Sequence, residues 1–157
     1  MRGVAYIIVA IYILFAGCEA PQDPNRPGDK LDGYLTYTDT NLIISNSGYY
    51  SVSIYNADSS YPFLRVPIRT DSVTNPYRID FHYVAEYSMD DIPGGRIYIA
   101  ATWSRYPKVP NEVPLVLGTY GCDTSRSCTN HSVVVYPNVQ GNFRNITCWT
   151  DTTKRLF

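Results

Sequence analysis

From Leu31 onward the chain alternates apolar and polar residues with a period of two, and Gly, Pro, Asn and Asp break the alternation at short intervals. Such a period places successive side chains on opposite faces of an extended strand, so the pattern predicts β-strands joined by turns. The segments that carry it are Tyr34 to Thr38, Tyr49 to Asn56, Arg65 to Asp71, Arg78 to Ser88, Arg96 to Trp103, Val116 to Tyr120, Ser132 to Tyr136 and Phe143 to Thr150. Within them, Tyr50, Val52 and Ile54 are expected to point inward, as are Ile79, Phe81, Tyr83, Ala85 and Tyr87. Arg78, Asp80, His82 and Glu86 then face water. About seven to eight strands pack most economically as an all-β, two-sheet antiparallel β-sandwich, because one open sheet would leave an apolar face wet.

Composition agrees with strands and turns. The 157 residues include 15 Tyr, 11 Pro and 10 Gly, a bias away from helical bundles. Thirteen basic residues against 14 acidic ones provide no electrostatic footprint for nucleic acid. With 2 His and 4 scattered Cys, no cofactor, metal or catalytic centre is expected.

The N-terminus has a different pattern. Arg2 precedes Val4-Ala5-Tyr6-Ile7-Ile8-Val9-Ala10-Ile11-Tyr12-Ile13-Leu14-Phe15, an apolar run of about 12 residues. That length suits the helical core of an export signal better than a membrane span, which needs about 20 residues. The run ends in Leu14-Phe15-Ala16-Gly17-Cys18, which resembles the lipobox of bacterial lipoproteins, although Phe15 stands where Leu is commoner. The resemblance implies a signal peptide over 1–17 and acylation of Cys18, whose lipid chains would hold the protein to a membrane. An ordinary signal peptide cut after Cys18 or Ala20, or an uncleaved anchor, are the alternatives. Glu19, directly after the Cys, is compatible with sorting to the outer membrane. Residues 18–30 carry Pro21, Pro24 and Pro27 and no apolar residue larger than Ala, which predicts an extended, flexible tether. At roughly 3.1 Å per residue, about 12 residues would hold the β-sandwich domain of residues 31–157 up to about 37 Å from the lipid.

Tyr87-Ser88-Met89-Asp90-Asp91-Ile92-Pro93-Gly94-Gly95-Arg96-Ile97-Tyr98-Ile99 resembles the prealbumin-like (transthyretin-like, carboxypeptidase regulatory-like) sandwich modules. Those modules carry an apolar residue, Pro, any residue, Gly, then a strand with Tyr; Ile92, Pro93, Gly95 and Tyr98 match. The physical reason is a tight turn between two paired strands, which needs Pro for a fixed φ and Gly95 for a positive one. Gly48 to Tyr55 and Pro67 to Ser72 are similar to the family's opening strands. The resemblance implies a structural or binding module and supplies no catalytic residues. Some relatives carry an acidic, calcium-suited loop after the Tyr strand; Ser104-Arg105-Tyr106-Pro107-Lys108 stands there instead, so calcium is not carried over.

Cys122 and Cys128 bracket a polar, turn-like segment, and export would allow them to form a disulfide closing a short loop, worth roughly 2 to 3 kcal/mol. Pairing of either with Cys148 is the alternative, although Cys148 reads most simply as a small buried hydrophobe. Asp80, His82 and Glu86 stand at i, i+2 and i+6, a spacing that would place them on one strand face as an acid–base or ion site; a solvated polar face explains the same residues. His131 reads as a loop histidine. Asn130-His131-Ser132 and Asn145-Ile146-Thr147 match the glycosylation sequon, a coincidence if the signal is bacterial. Tyr49, Tyr55, Tyr61, Phe63, Trp103, Tyr106 and Trp149 are candidate ligand-contact aromatics, since exposed rings stack on sugars or anchor protein interfaces; the alternative is that aromatic residues favour pleated surfaces and cover core edges. The function expected is a lipid-anchored, non-enzymatic envelope module with a protein or glycan ligand. A carbohydrate-binding or adhesion module is the second reading, and a hydrolase centred on His82 the third.

Overall fold

The computed structural model describes residues 30–38, 48–73, 76–122, 130–136 and 143–154. Cys18, the signal peptide, most of the tether and Cys128 lie outside them. The described residues form nine strands: β1 (Leu31–Tyr37), β2 (Gly48–Asn56), β3 (Arg69–Ser72), β4 (Tyr77–Ile79), β5 (His82–Met89), β6 (Gly95–Arg105), β7 (Leu115–Thr119), β8 (Val134–Tyr136) and β9 (Ile146–Cys148). The first sheet runs β4-β5-β1-β9 and the second β3-β2-β6-β7, with β8 also on β6. All pairings are antiparallel except β1 with β9. This is a β-sandwich. Strands β1 to β7 take the places that strands B, C, C′, D, E, F and G take in an immunoglobulin-type sandwich, while β9 lies where strand A would, but parallel to its neighbour. Strand order of this kind carries no function by itself.

Period-two alternation builds the core. Leu31, Leu35 and Tyr37 of β1, Val52 and Ile54 of β2, Ala85, Tyr87 and Met89 of β5, Ile97, Ile99 and Ala101 of β6, and Ile146 and Cys148 of β9 pack as one buried cluster between the sheets. Tyr50 packs against its edge and donates its hydroxyl to the Thr150 carbonyl at 2.7 Å. Cys148 is thus a buried thiol in the core.

Three strand expectations are corrected. Arg65 to Asp71 is a strand only from Arg69; the chain before it forms a short 3-10 turn, Pro62–Leu64, whose Phe63 is buried. This segment folds over the outer face of the second sheet, where Phe63 joins Tyr55, Ala100 and Val116 in a second cluster, so β6 is buried on both faces. Beside that cluster a hydroxyl row is satisfied internally, with Thr102 Oγ1 2.8 Å from both Ser51 Oγ and Ser53 Oγ, and Ser53 Oγ 2.8 Å from Thr70 Oγ1. Arg78 to Ser88 is a hairpin rather than one strand, turning at Asp80-Phe81, with Asp80 at φ 51°. Ile79 and His82 pair directly and therefore share a face, which leaves Ile79 (46% exposed) and Phe81 (75%) outside the core. Ala85 and Tyr87 are buried as expected, and Tyr83 is half-buried.

The third correction concerns Phe143 to Thr150, which is a strand only over Ile146–Cys148, whereas Val116 to Tyr120 and Ser132 to Tyr136 are strands as expected, β7 and β8. Ile97 pairs with Asn56 of β2 on one edge and with Val134 of β8 on the other, so β8 lies on the same edge of β6 as β7. Residues 115–119 and then 134–136 run antiparallel along β6 in the same direction. They occupy successive stretches of one sheet edge, and the excursion between them is closed at its neck by the Ser132 amide donating to the Tyr120 carbonyl at 2.9 Å.

Gly95 opens β6 at φ 120°, a conformation almost closed to residues with a β-carbon, while nothing lies within 4 Å of where that carbon would sit. Gly95→Val should therefore cost about 1 to 3 kcal/mol from backbone strain alone. At Gly94 an added methyl would meet only the Tyr136 carbonyl oxygen at 3.8 Å, so Gly94→Ala should stay within about 0.5 kcal/mol of the parent. Urea melts of the two variants make the comparison; equal stability of Gly95→Val and parent would refute that conformation.

Candidate functional site

The outer face of the first sheet carries an open groove of about 510 Å³. Its floor follows from register. Tyr34 of β1 pairs directly with Glu86 of β5, and Asp32 with Ser88, so a ring, two carboxylates and a hydroxyl alternate over two adjacent strands. Phe143 forms one wall because the chain before β9 bridges Asp32 in parallel, with the Arg144 amide donating to the Asp32 carbonyl at 2.7 Å. The Phe143 and Tyr34 rings meet edge to face, 5.4 Å between centroids and 71° between planes. The Tyr34 amide donates to Asn145 Oδ1 at 3.0 Å, which ties β1 to the same segment. Lys30 Nζ lies 3.3 Å from Asp32 Oδ1, and the Tyr77 hydroxyl reaches Glu86 Oε1 at 3.4 Å. Phe143 is 54% exposed and Tyr34 36%.

A second hollow of about 340 Å³ sits where β6 runs into the following loop, and it is more apolar. It brings together Trp103 and Tyr106 with Val109, Val113 and Leu115, rimmed by Arg105 and Glu112. Of the aromatics singled out from sequence, these two alone share a hollow. Tyr49 is half-buried against Tyr106, 5.4 Å between centroids, with Lys108 Nζ 4.5 Å above it. Trp149 is half-buried beneath Lys154. Tyr61 is 78% exposed and stands outside both hollows. Tyr55 and Phe63 are corrected: both are buried in the outer-face cluster, their centroids 5.3 Å apart, so neither ring can meet a ligand. Burial pushes the Tyr55 phenol well above its ordinary range.

Asp80, His82 and Glu86 do not assemble. Asp80 is in the hairpin turn, outside the strand, and His82 and Glu86 are four residues apart along β5, two pleats of about 7 Å. Glu86 instead belongs to the groove. At the excursion, Cys122 is buried and its Sγ lies 3.2 Å from His131 Nδ1, which also meets the Thr119 hydroxyl at 2.7 Å. The His131 ring packs 4.8 Å from Phe63, so this histidine is part of the packing rather than a plain loop residue, and burial lowers its pKa. Among the described residues no group of three His, Cys, Asp or Glu side chains is placed to hold a metal ion, and no helix is long and apolar enough to cross a membrane.

Tyr34 and Phe143 were not singled out from sequence. The outward position of Tyr34 between Asp32 and Thr36 was readable from the alternation; its meeting with Phe143 depends on a parallel contact that no local pattern encodes. Comparison with protein-family models, with curated proteins and with solved structures finds no match to this chain.

Proposed function

We propose that the chain is a lipid-anchored, non-enzymatic β-sandwich of the bacterial cell envelope, held at the outer membrane through Cys18 and acting as an interaction or structural module. The observation that carries this reading is the order of features: an apolar run, Ala16-Gly17-Cys18, a Pro-rich tether, and then β1 beginning at Leu31, where the tether composition ends. A folded body starting directly after a polar spacer is the arrangement an anchored module needs. The dispersal of Asp80, His82 and Glu86 favours binding over hydrolysis. Kinship with prealbumin-like modules rests on Ile92, Pro93, Gly95 and Tyr98.

Cys122 and Cys128 are assigned as a disulfide bracing the excursion between β7 and β8. Support for it comes from the buried position of Cys122 at the start of the excursion and from the packing of Cys148 in the core between the sheets.

Metabolic labelling with an alkyne fatty acid in a bacterial host tests the anchor. The parent chain should take up label and Cys18→Ser should take up none. Equal labelling of both, or of neither, would overturn the reading.

A further inference from the structure

We propose that the groove on the first sheet binds a neutral oligosaccharide, with Tyr34 and Phe143 packing on sugar rings and Asp32 and Glu86 accepting hydrogen bonds from sugar hydroxyls. The proposal rests on the reading of the chain as an interaction module and names the ligand class of that module.

The argument begins with what the groove offers. The carboxyl oxygens of Asp32 and Glu86 accept hydrogen bonds, so they call for a ligand rich in donors. Two exposed rings call for a ligand with apolar faces. A pyranose has both, with C–H bonds on its ring faces and hydroxyl donors around its rim. A cationic peptide would also satisfy carboxylates, but Lys30 already stands 3.3 Å from Asp32 and the Tyr77 hydroxyl already donates to Glu86. With a positive charge in place at one acid, the groove favours hydroxyl donors over a second cation.

Spacing points the same way. Directly paired residues on adjacent strands stand about 5 Å apart and successive same-face residues about 7 Å, so Tyr34, Glu86, Asp32 and Ser88 form a patch on the scale of one or two sugar rings. The volume of about 510 Å³ lies within the range of small-ligand sites and accommodates a short oligosaccharide. The site is also built mainly on strands, which carry Asp32, Tyr34 and Glu86, with Phe143 held by its bridge to Asp32: β1 is paired on both edges, to β5 and β9, and the Asn145 side chain bonds the Tyr34 amide. Its ring and acceptors are therefore positioned before a ligand arrives, which lowers the ordering cost of binding.

The test is calorimetric titration of the full chain, extracted in a detergent without a sugar headgroup, with cellohexaose, chitohexaose and maltohexaose in turn. At least one should bind with a Kd of about 1 mM or tighter. Tyr34→Ala and Phe143→Ala should each weaken that binding about tenfold or more, and Glu86→Gln several-fold, with Tyr61→Ala as the control that leaves it unchanged. Melting temperatures confirm that each variant is folded, and Tyr34→Phe, which keeps the ring, should retain most of the affinity. Binding of none of the three, binding that survives both ring deletions, or binding of a lysine-rich decapeptide in place of sugars would overturn the proposal. The anchor is judged separately by fatty-acid labelling. An unlabelled chain that binds sugar through Tyr34 would retain the groove and lose the envelope reading, whereas a labelled chain that binds no sugar would do the reverse.

Discussion

Gly118→Ala should destabilise the protein by about 3 kcal/mol or more, a large share of the stability a domain of this size has to lose. Gly118 is in β7 of the second sheet, facing β9 of the first, and the two strands approach closely enough for the Trp149 amide to donate to the Leu117 carbonyl at 3.3 Å. A β-carbon on Gly118 would collide with the Thr147 carbonyl oxygen and come within 2.7 Å of Cys148 Cβ and 2.9 Å of Cys148 Cα. None of these atoms is the end of a flexible side chain. They belong to β9, which is fixed by its pairing with β1, and through Thr38, whose amide donates to the Cys148 carbonyl at 3.0 Å. Relief requires parting the sheets along this seam, which costs more than ordinary overpacking of about 1 to 3 kcal/mol. Urea denaturation measures it. A loss under about 1 kcal/mol would mean that β9 does not lie where it is described.

Phe63→Ala should have the second largest effect, about 3 kcal/mol. The ring lies between Tyr55 and Tyr98, both at 5.3 Å, and the His131 ring at 4.8 Å, so it joins the segment before β3 to the sheet face and to the excursion after β7. Its loss removes a filled volume and also uncovers Tyr55, whose side chain is almost wholly buried. Phe63→Leu keeps most of the volume and should cost about 1 kcal/mol. Limited proteolysis gives an independent reading: the alanine variant should be cut between residues 57 and 68 under conditions that leave the parent intact. Unchanged cleavage together with unchanged stability would show that this loop does not rest on the sheet.

Particular residues show how far the fold was legible in the sequence. Val52 with Ile54, and Ile97 with Ile99, lie on uninterrupted alternations, and each pair faces the core as its parity predicts. The positive φ of Gly95 was readable from its residue type, but the expected tight turn between paired strands is corrected: the segment carries the chain from β5 of the first sheet to β6 of the second. The hairpin at Asp80-Phe81 was not readable, since Asp80 is the one turn former there and Phe81 continues the apolar alternation. A two-residue turn also leaves the apolar alternation unbroken in the sequence while exchanging which parity faces inward. That exchange is why Ile79 and Phe81 lie outside while Ala85 and Tyr87 lie inside. The burial of Tyr55 and Phe63 was hidden for another reason: an irregular segment covers the outer face of a sheet by tertiary packing, which leaves no period in the chain.

The candidate site was less legible than the fold. Trp103 and Tyr106 were picked out by residue type and do share a hollow. The groove on the first sheet joins Tyr34 to Glu86 across an antiparallel pairing and to Phe143 across a parallel one, and neither register is set by nearby residues. Glu86 was noticed, but as a partner of His82; the strand pairing gives it to Tyr34 instead.

Intact mass spectrometry of the membrane-extracted chain tests the central claim most directly. The account predicts a mature chain beginning at Cys18, carrying the added mass of two or three acyl chains with glycerol, and gaining two hydrogens on reduction of the Cys122 to Cys128 bond. A mature N-terminus at Glu19 or Pro21 without lipid mass, or full retention of Arg2, would contradict it.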